Sequence, residues 1–132
     1  MSSYSITELD DLFSEAAETE RRLPAAVRKQ KMASWPEYLR DWKSYGWQEY
    51  TPRISPATTV QVDRFELALD LGIKNMDKED RGLVWLVAHS GAFRERGPRW
   101  TKLARAMGLE RRIVKRRYEQ ALIRLYYKLL HS

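Results

Sequence analysis

Trp100-Thr101-Lys102-Leu103-Ala104-Arg105-Ala106-Met107-Gly108-Leu109-Glu110-Arg111-Arg112-Ile113-Val114 is the stretch on which the reading of this chain turns. Two helices cross closely at a three- or four-residue turn only if three demands are met. A small residue must sit where they touch, the turn must tolerate a left-handed backbone, and apolar side chains on both sides must close the core. Ala104, Gly108 and the set Leu103, Met107, Leu109 and Val114 meet those demands in turn. The pattern predicts a short helix from Arg99 to Met107, a turn at Gly108 and a second helix running to about Leu130. That is a helix-turn-helix. At roughly 1.5 Å per residue the second helix would measure about 30 Å, more than a minimal helix-turn-helix needs. Its last two turns therefore reach either the N-terminal half or a second chain. Tyr118, Leu122, Leu125, Tyr126, Leu129 and Leu130 are correspondingly either a dimer seam or the face that packs on the Leu83 to Val87 helix.

Charge concentrates on the same stretch. The net charge is +6, yet residues 1–79 hold eleven Lys and Arg against fourteen Asp and Glu, whereas residues 80–132 hold thirteen against four. Between Arg94 and Arg117 there are ten basic side chains and only Glu95 and Glu110 to oppose them. A stripe so dense repels itself unless an anion relieves it, and nucleic acid phosphate is the usual partner. The plainer alternative is a solvated surface. Arg111, Arg112, Lys115 and Arg116 fall at the N-terminal end of the second helix, the part that enters a major groove in this class of reader. Arg94, Arg96, Arg99, Lys102 and Arg105 lie before it and suit phosphate contacts that position the module. Trp100 could stack on a base, but an aromatic opening a scaffold helix is read here as core.

Residues Leu103 to Leu109, followed by Val114-Lys115-Arg116-Arg117-Tyr118-Glu119-Gln120-Ala121-Leu122-Ile123-Arg124-Leu125, resemble the promoter-reading C-terminal domain of bacterial sigma factors. The resemblance covers about the last 50 residues. It implies packing roles for Ala104, Gly108, Val114 and the Ala121-Leu122-Ile123-Arg124-Leu125 run, and a DNA-facing role for Arg111, Arg112, Lys115 and Arg116. Glu110 stands where that family carries a Ser cap, and Ile113 where it carries Thr. The wider pattern is Arg21-Arg22-Leu23-Pro24, Trp35-Pro36, Val84-Trp85-Leu86 and the Trp100 helix. It is similar to a group of small helix-turn-helix proteins of alphaproteobacteria and their phages.

Outward from that core the chain of 132 residues reads as all-α, a multi-helix domain ending in the helix-turn-helix and its long last helix. Ile6, Leu9, Leu12, Phe13, Ala16 and Ala17 recur at helical spacing, with Thr7 as the expected cap and Glu15, Glu18 and Glu20 off the apolar stripe. This acidic first helix is either a plain element of the fold or a partner-binding or autoinhibitory arm that competes with phosphate for the basic face. Leu23-Pro24 breaks it, and helices are expected over 25–32 and from about Pro36 to Tyr45. Residues 1–50 form an N-terminal helical region, 51–57 with Pro52 and Pro56 a linker, and 58–132 the DNA-binding region, the whole expected as one compact unit. A helix from Thr58 or Thr59 is expected to end at Gly72. Asp77 caps the next, which carries Leu83 to Val87 and stops at Gly91.

Hydrophobic residues make up 43% and aromatic residues 11%, enough apolar surface for a core. With no Cys, disulfides, thiol catalysis and Cys zinc sites drop out. His89 and His131 have no partner at ligand spacing, so no metal is expected; His89 reads as a helix-end residue and His131 as exposed. There is no Gly-rich phosphate loop, nucleophile elbow or His-Glu-x-x-His, so neither an enzyme nor a cofactor is expected. The acidic N-terminus and the lack of an apolar span lead to an expected cytoplasmic, membrane-free protein. Expected partners are double-stranded DNA, RNA polymerase and a second copy as homodimer, with transcription regulation as the task. A phage DNA-packaging recognition subunit, or an RNA polymerase-binding adaptor with little DNA contact, are the alternatives.

Overall fold

In the computed structural model, residues 4–31 and 55–131 are described. Among them the chain is helical and contains no strand. Helix α1 (Ile6–Arg22) starts at a reciprocal cap: the Ser5 hydroxyl accepts from the Glu8 amide at 3.1 Å, and the Glu8 carboxylate accepts from the Ser5 amide at 3.4 Å. The expected cap at Thr7 is thus two residues late. Both Ser5 and Thr7 have suitable side chains, and only Ser5 has Glu three positions on. Leu9, Leu12, Phe13, Ala16 and Ala17 are buried, a single stripe at spacings of three, four and one. Leu23 is extended (φ −82°, ψ 144°), as a residue before proline must be, and ends the helix.

Helix α2 (Ala25–Lys31) follows, and the predicted helix from Pro36 to Tyr45 and most of the 51–57 linker lie outside the described residues. Helix α3 (Thr59–Asn75) opens on a second capping box, Thr58 with Gln61. It runs through Gly72, where the sequence reading ended it. Gly72 is buried within the helix, which absorbs the helical penalty of glycine there. Helix α4 (Lys78–Ser90) is capped by Asp77, whose carboxylate accepts from the Asp80 amide at 2.8 Å. Helices α5 (Trp100–Met107) and α6 (Arg111–Leu130) complete the chain.

Helix α1 lies at the centre, packed on α3, α4 and α6, while α5 packs on α6 and α4. One apolar cluster joins Leu9, Leu12 and Phe13 of α1 to Phe65 of α3, Trp85 of α4, Leu103 of α5 and Leu122 and Leu125 of α6. Each such side chain contributes about 1.5–3 kcal/mol when fully buried. The first helix is therefore a core element of the fold, and the competing-arm alternative loses its basis. Likewise Tyr118, Leu122 and Leu125 are buried against the bundle, so that part of α6 is a packing face.

Polar groups fix the angles between these helices. Glu20, placed off the stripe by the sequence reading, is fully buried, its carboxylate against Nε2 of the equally buried His89. Arg21 Nε donates to His89 Nδ1 at 3.3 Å and Arg21 Nη2 to the His89 carbonyl at 3.0 Å. With Nδ1 accepting, the ring proton sits on Nε2 and faces Glu20. This clasp ties the end of α1 to the end of α4, so His89 is more than a helix-end residue. Arg124 of α6 donates from Nε and Nη2 to both Asp80 oxygens of α4 at 2.8 Å. Tyr118 of α6 donates to the Asp10 carboxylate of α1. Burial, then Asp10 and Asp11, push the Tyr118 phenol well above its ordinary range.

Two outcomes follow. His89→Ala leaves the buried Glu20 carboxylate without its imidazole donor, which is expected to cost at least about 1–3 kcal/mol in denaturant unfolding. An unfolded tyrosine ionises near pH 10, whereas the folded Tyr118 keeps its proton, so stability is full below about pH 10 and falls as pH rises beyond it. Tyr118→Phe is expected to flatten that alkaline decline relative to the wild type in melting curves from pH 8 to 11.

Candidate nucleic-acid interface

The turn between α5 and α6 is built as its residues require. Gly108 is left-handed (φ 67°, ψ 30°). The Leu109 amide donates to the Ala104 carbonyl at 3.0 Å and the Gly108 amide to the Arg105 carbonyl at 3.4 Å. This six-to-one and five-to-two pair closes a helix C-terminus at glycine. Leu109 folds back half-buried onto the core, and Glu110 (φ −73°, ψ 150°) restarts the chain as the N-cap of α6. Its carbonyl accepts from the Ile113 and Val114 amides at 3.0 and 3.1 Å. The Glu110 side chain makes no cap bond and accepts instead from Arg112 Nε at 2.7 Å. Those two side chains are 70% and 71% exposed, so the pair is open to water and weak.

Ahead of α5, the loop from Gly91 to Pro98 is pinned. A Cβ on Gly91 would lie 3.0 Å from the Gly97 carbonyl carbon and the Pro98 nitrogen, so a side chain there would press on the closing backbone. Phe93 takes φ 61°, strained for a side-chain-bearing residue, and its amide donates to Glu18 at 2.8 Å. The Arg22 guanidinium lies 5.3 Å from the Phe93 ring centre. Ser90 Oγ accepts from the Arg99 amide at 3.2 Å, which places the first residues of α5 against the end of α4. Trp100, partly buried, meets Tyr118 edge-on at 5.7 Å and carries the Lys115 ammonium 5.5 Å from its ring centre. It packs on the core, as its position in the sequence suggested.

The nine candidate side chains occupy consecutive pieces of this assembly. Arg94 and Arg99 are partly buried and Arg96 is exposed around the loop, Lys102 and Arg105 are exposed on α5, and Arg111, Arg112, Lys115 and Arg116 are exposed on the first two turns of α6. Val114 and Tyr118, between and beyond them, point into the core. Among the described residues, no carboxylate lies within 4.0 Å of Arg96, Arg105, Arg111 or Arg116. Burial, then Arg99 and Arg96, hold the Arg94 guanidinium below the usual arginine range. The first turn of α6 holds no acidic residue. Its arginines stand at the positive end of the helix dipole, opposite to the arrangement that stabilises an isolated helix. An anion docked there would relieve both repulsions.

Sequence reasoning missed three features of this surface: the left-handed Phe93, the Glu18 carboxylate that holds it, and the placement of Lys115 over Trp100. The first two lie 75 residues apart in the chain and left no local pattern. Arg117 is also exposed and adds to the positive field of α6 without belonging to the candidate set. Among the described residues no three His, Asp or Glu side chains gather where a metal ion could be held, and no helix is long and apolar enough to cross a membrane.

The space around a Cβ at Gly108 is empty, so replacing it tests backbone conformation alone. Gly108→Ala is expected to lose about 1–2 kcal/mol in urea unfolding, while Gly108→Asn, which tolerates the left-handed region, loses less.

No curated protein and no solved structure matches this chain. A family profile does match, over residues 21–125, from the Arg21 clasp through Leu125 of α6. That is most of the chain, which therefore belongs to the family described as domain of unknown function DUF6362.

Proposed function

We propose that this chain binds double-stranded DNA through α5 and α6, with α6 entering the major groove, and that it works as a transcription regulator of a bacterium or phage. The observation that carries this reading is the start of α6. A left-handed glycine turn delivers four exposed cations, Arg111, Arg112, Lys115 and Arg116, to the amino end of a 20-residue helix whose opposite side is locked in the core. Arginine forks at such a position match guanine edges, and the loop and α5 cations match flanking phosphates. The crowding of positive charge costs the free protein stability, which a polyanion returns. RNA polymerase is the natural second contact for a protein of this kind, since one helix-turn-helix buries modest area on DNA.

The test is titration of a fluorescent duplex of mixed sequence with the full chain. Binding is expected to weaken by about a thousandfold or more between 50 and 200 mM salt if six or more phosphates are neutralised. Arg112→Glu and Arg116→Glu, both at exposed positions, are each expected to abolish binding without lowering the melting temperature. Retained affinity in both reversals would remove α6 from the groove.

A further inference from the structure

The solvent face of α6 changes character along its length. Arg112, Arg116, Ile123, Tyr127 and Leu130 are spaced by four, seven, four and three residues, which sets them in one line along the helix opposite the buried Val114, Tyr118, Ala121, Leu122 and Leu125. The first half of that line is cationic and the second half apolar. Ile123 is 37% exposed, Tyr127 54% and Leu130 52%, and the Tyr126 ring meets the Tyr127 ring edge-on at 5.3 Å. Arg124, the cation nearest the line, is held by both Asp80 oxygens and is engaged on the α4 side.

We infer that this C-terminal stripe is the contact through which two copies of the chain pair, with their α6 helices antiparallel. The stripe is nearly symmetric about its centre. Antiparallel pairing places Ile123 of one copy opposite Leu130 of its partner and the two Tyr127 side chains near the twofold axis, the self-complementary arrangement a twofold interface demands. Parallel pairing would instead set the Arg112 and Arg116 side chains of the two copies beside each other, a like-charge contact that the antiparallel form avoids. Because α6 ends at Leu130, the partner helix stops short of the basic half, which stays open.

The exposed stripe offers a few hundred Å² per copy, below the roughly 800 Å² a side of a stable complex. The pair is therefore weak in free solution. The centre of the stripe lies thirteen residues from the centre of the basic cluster, about 20 Å along the helix. The pairing does not rest on the DNA-binding reading.

The absence of cysteine from the chain gives a clean test. Full-length Tyr127→Cys, Ile123→Cys and Leu130→Cys are oxidised gently at high protein concentration. Tyr127→Cys is expected to form a disulfide dimer alone, while Ile123→Cys and Leu130→Cys are expected to cross-link efficiently only when mixed. In sedimentation, the wild-type mass is expected to rise above the 15.6 kDa of one chain as concentration increases, and Tyr127→Glu to remain a monomer with an unchanged melt. Cross-linking without that pattern, or a wild-type monomer at every concentration, overturns the proposal. So does a monomer whose Tyr127→Glu variant loses only capture of RNA polymerase, which assigns the stripe to that partner. Arg116→Glu is expected to leave self-association intact, so DNA binding retained in that variant with pairing intact would count against the groove reading alone.

Discussion

The left-handed backbone at Gly108 governs the rest of the molecule's surface. It sets the direction in which α6 leaves α5, and that direction decides which side of α6 meets the core. With the turn closed by the Leu109 and Gly108 amides, Val114, Tyr118, Ala121, Leu122 and Leu125 enter the bundle together. Arg111, Arg112, Lys115 and Arg116 are then left outside by the geometry of a helix with 3.6 residues per turn.

The bundle holds that orientation through contacts distributed along α6. Tyr118 is tied to Asp10 of the central helix, Arg124 to Asp80 of α4, and Trp100 bridges the start of α5 to Tyr118 and Lys115. At the other end of α4, the Glu20, His89 and Arg21 clasp fixes where the Gly91–Pro98 loop begins. A buried pair of this kind is weak evidence for net stability, because desolvation offsets much of its attraction. Its effect is geometric: two helix ends that meet in one register deliver α5 in one place.

Charge is separated in space as it is along the sequence. The acidic N-terminal helix spends its carboxylates on internal tasks: Glu8 caps, Asp10 accepts from Tyr118, Glu15 pairs with Arg64, Glu18 holds Phe93, and Glu20 faces His89. Few of them are left to neutralise the arginines of α6, where Glu110 makes a single exposed pair. The basic surface is thus an unbalanced one, and that imbalance is the physical ground of the proposed association with DNA.

Local sequence determined the helices among the described residues, the break at Leu23-Pro24, the cap at Asp77, and the turn at Gly108, because each depends on residues within one or two helical turns. It also determined that α6 begins with cations, since that is a matter of position along the chain. Tertiary structure alone decided that α1 is the central core helix, that Glu20 is buried against His89, and that α3 continues through Gly72. Each of those depends on what lies opposite, and the opposing residues are tens of positions away. Glu20 read as a solvated carboxylate because helical periodicity records only distance from the apolar stripe. Its burial follows from α4 arriving with a histidine and from Arg21 closing the other side of the ring, which no local pattern encodes.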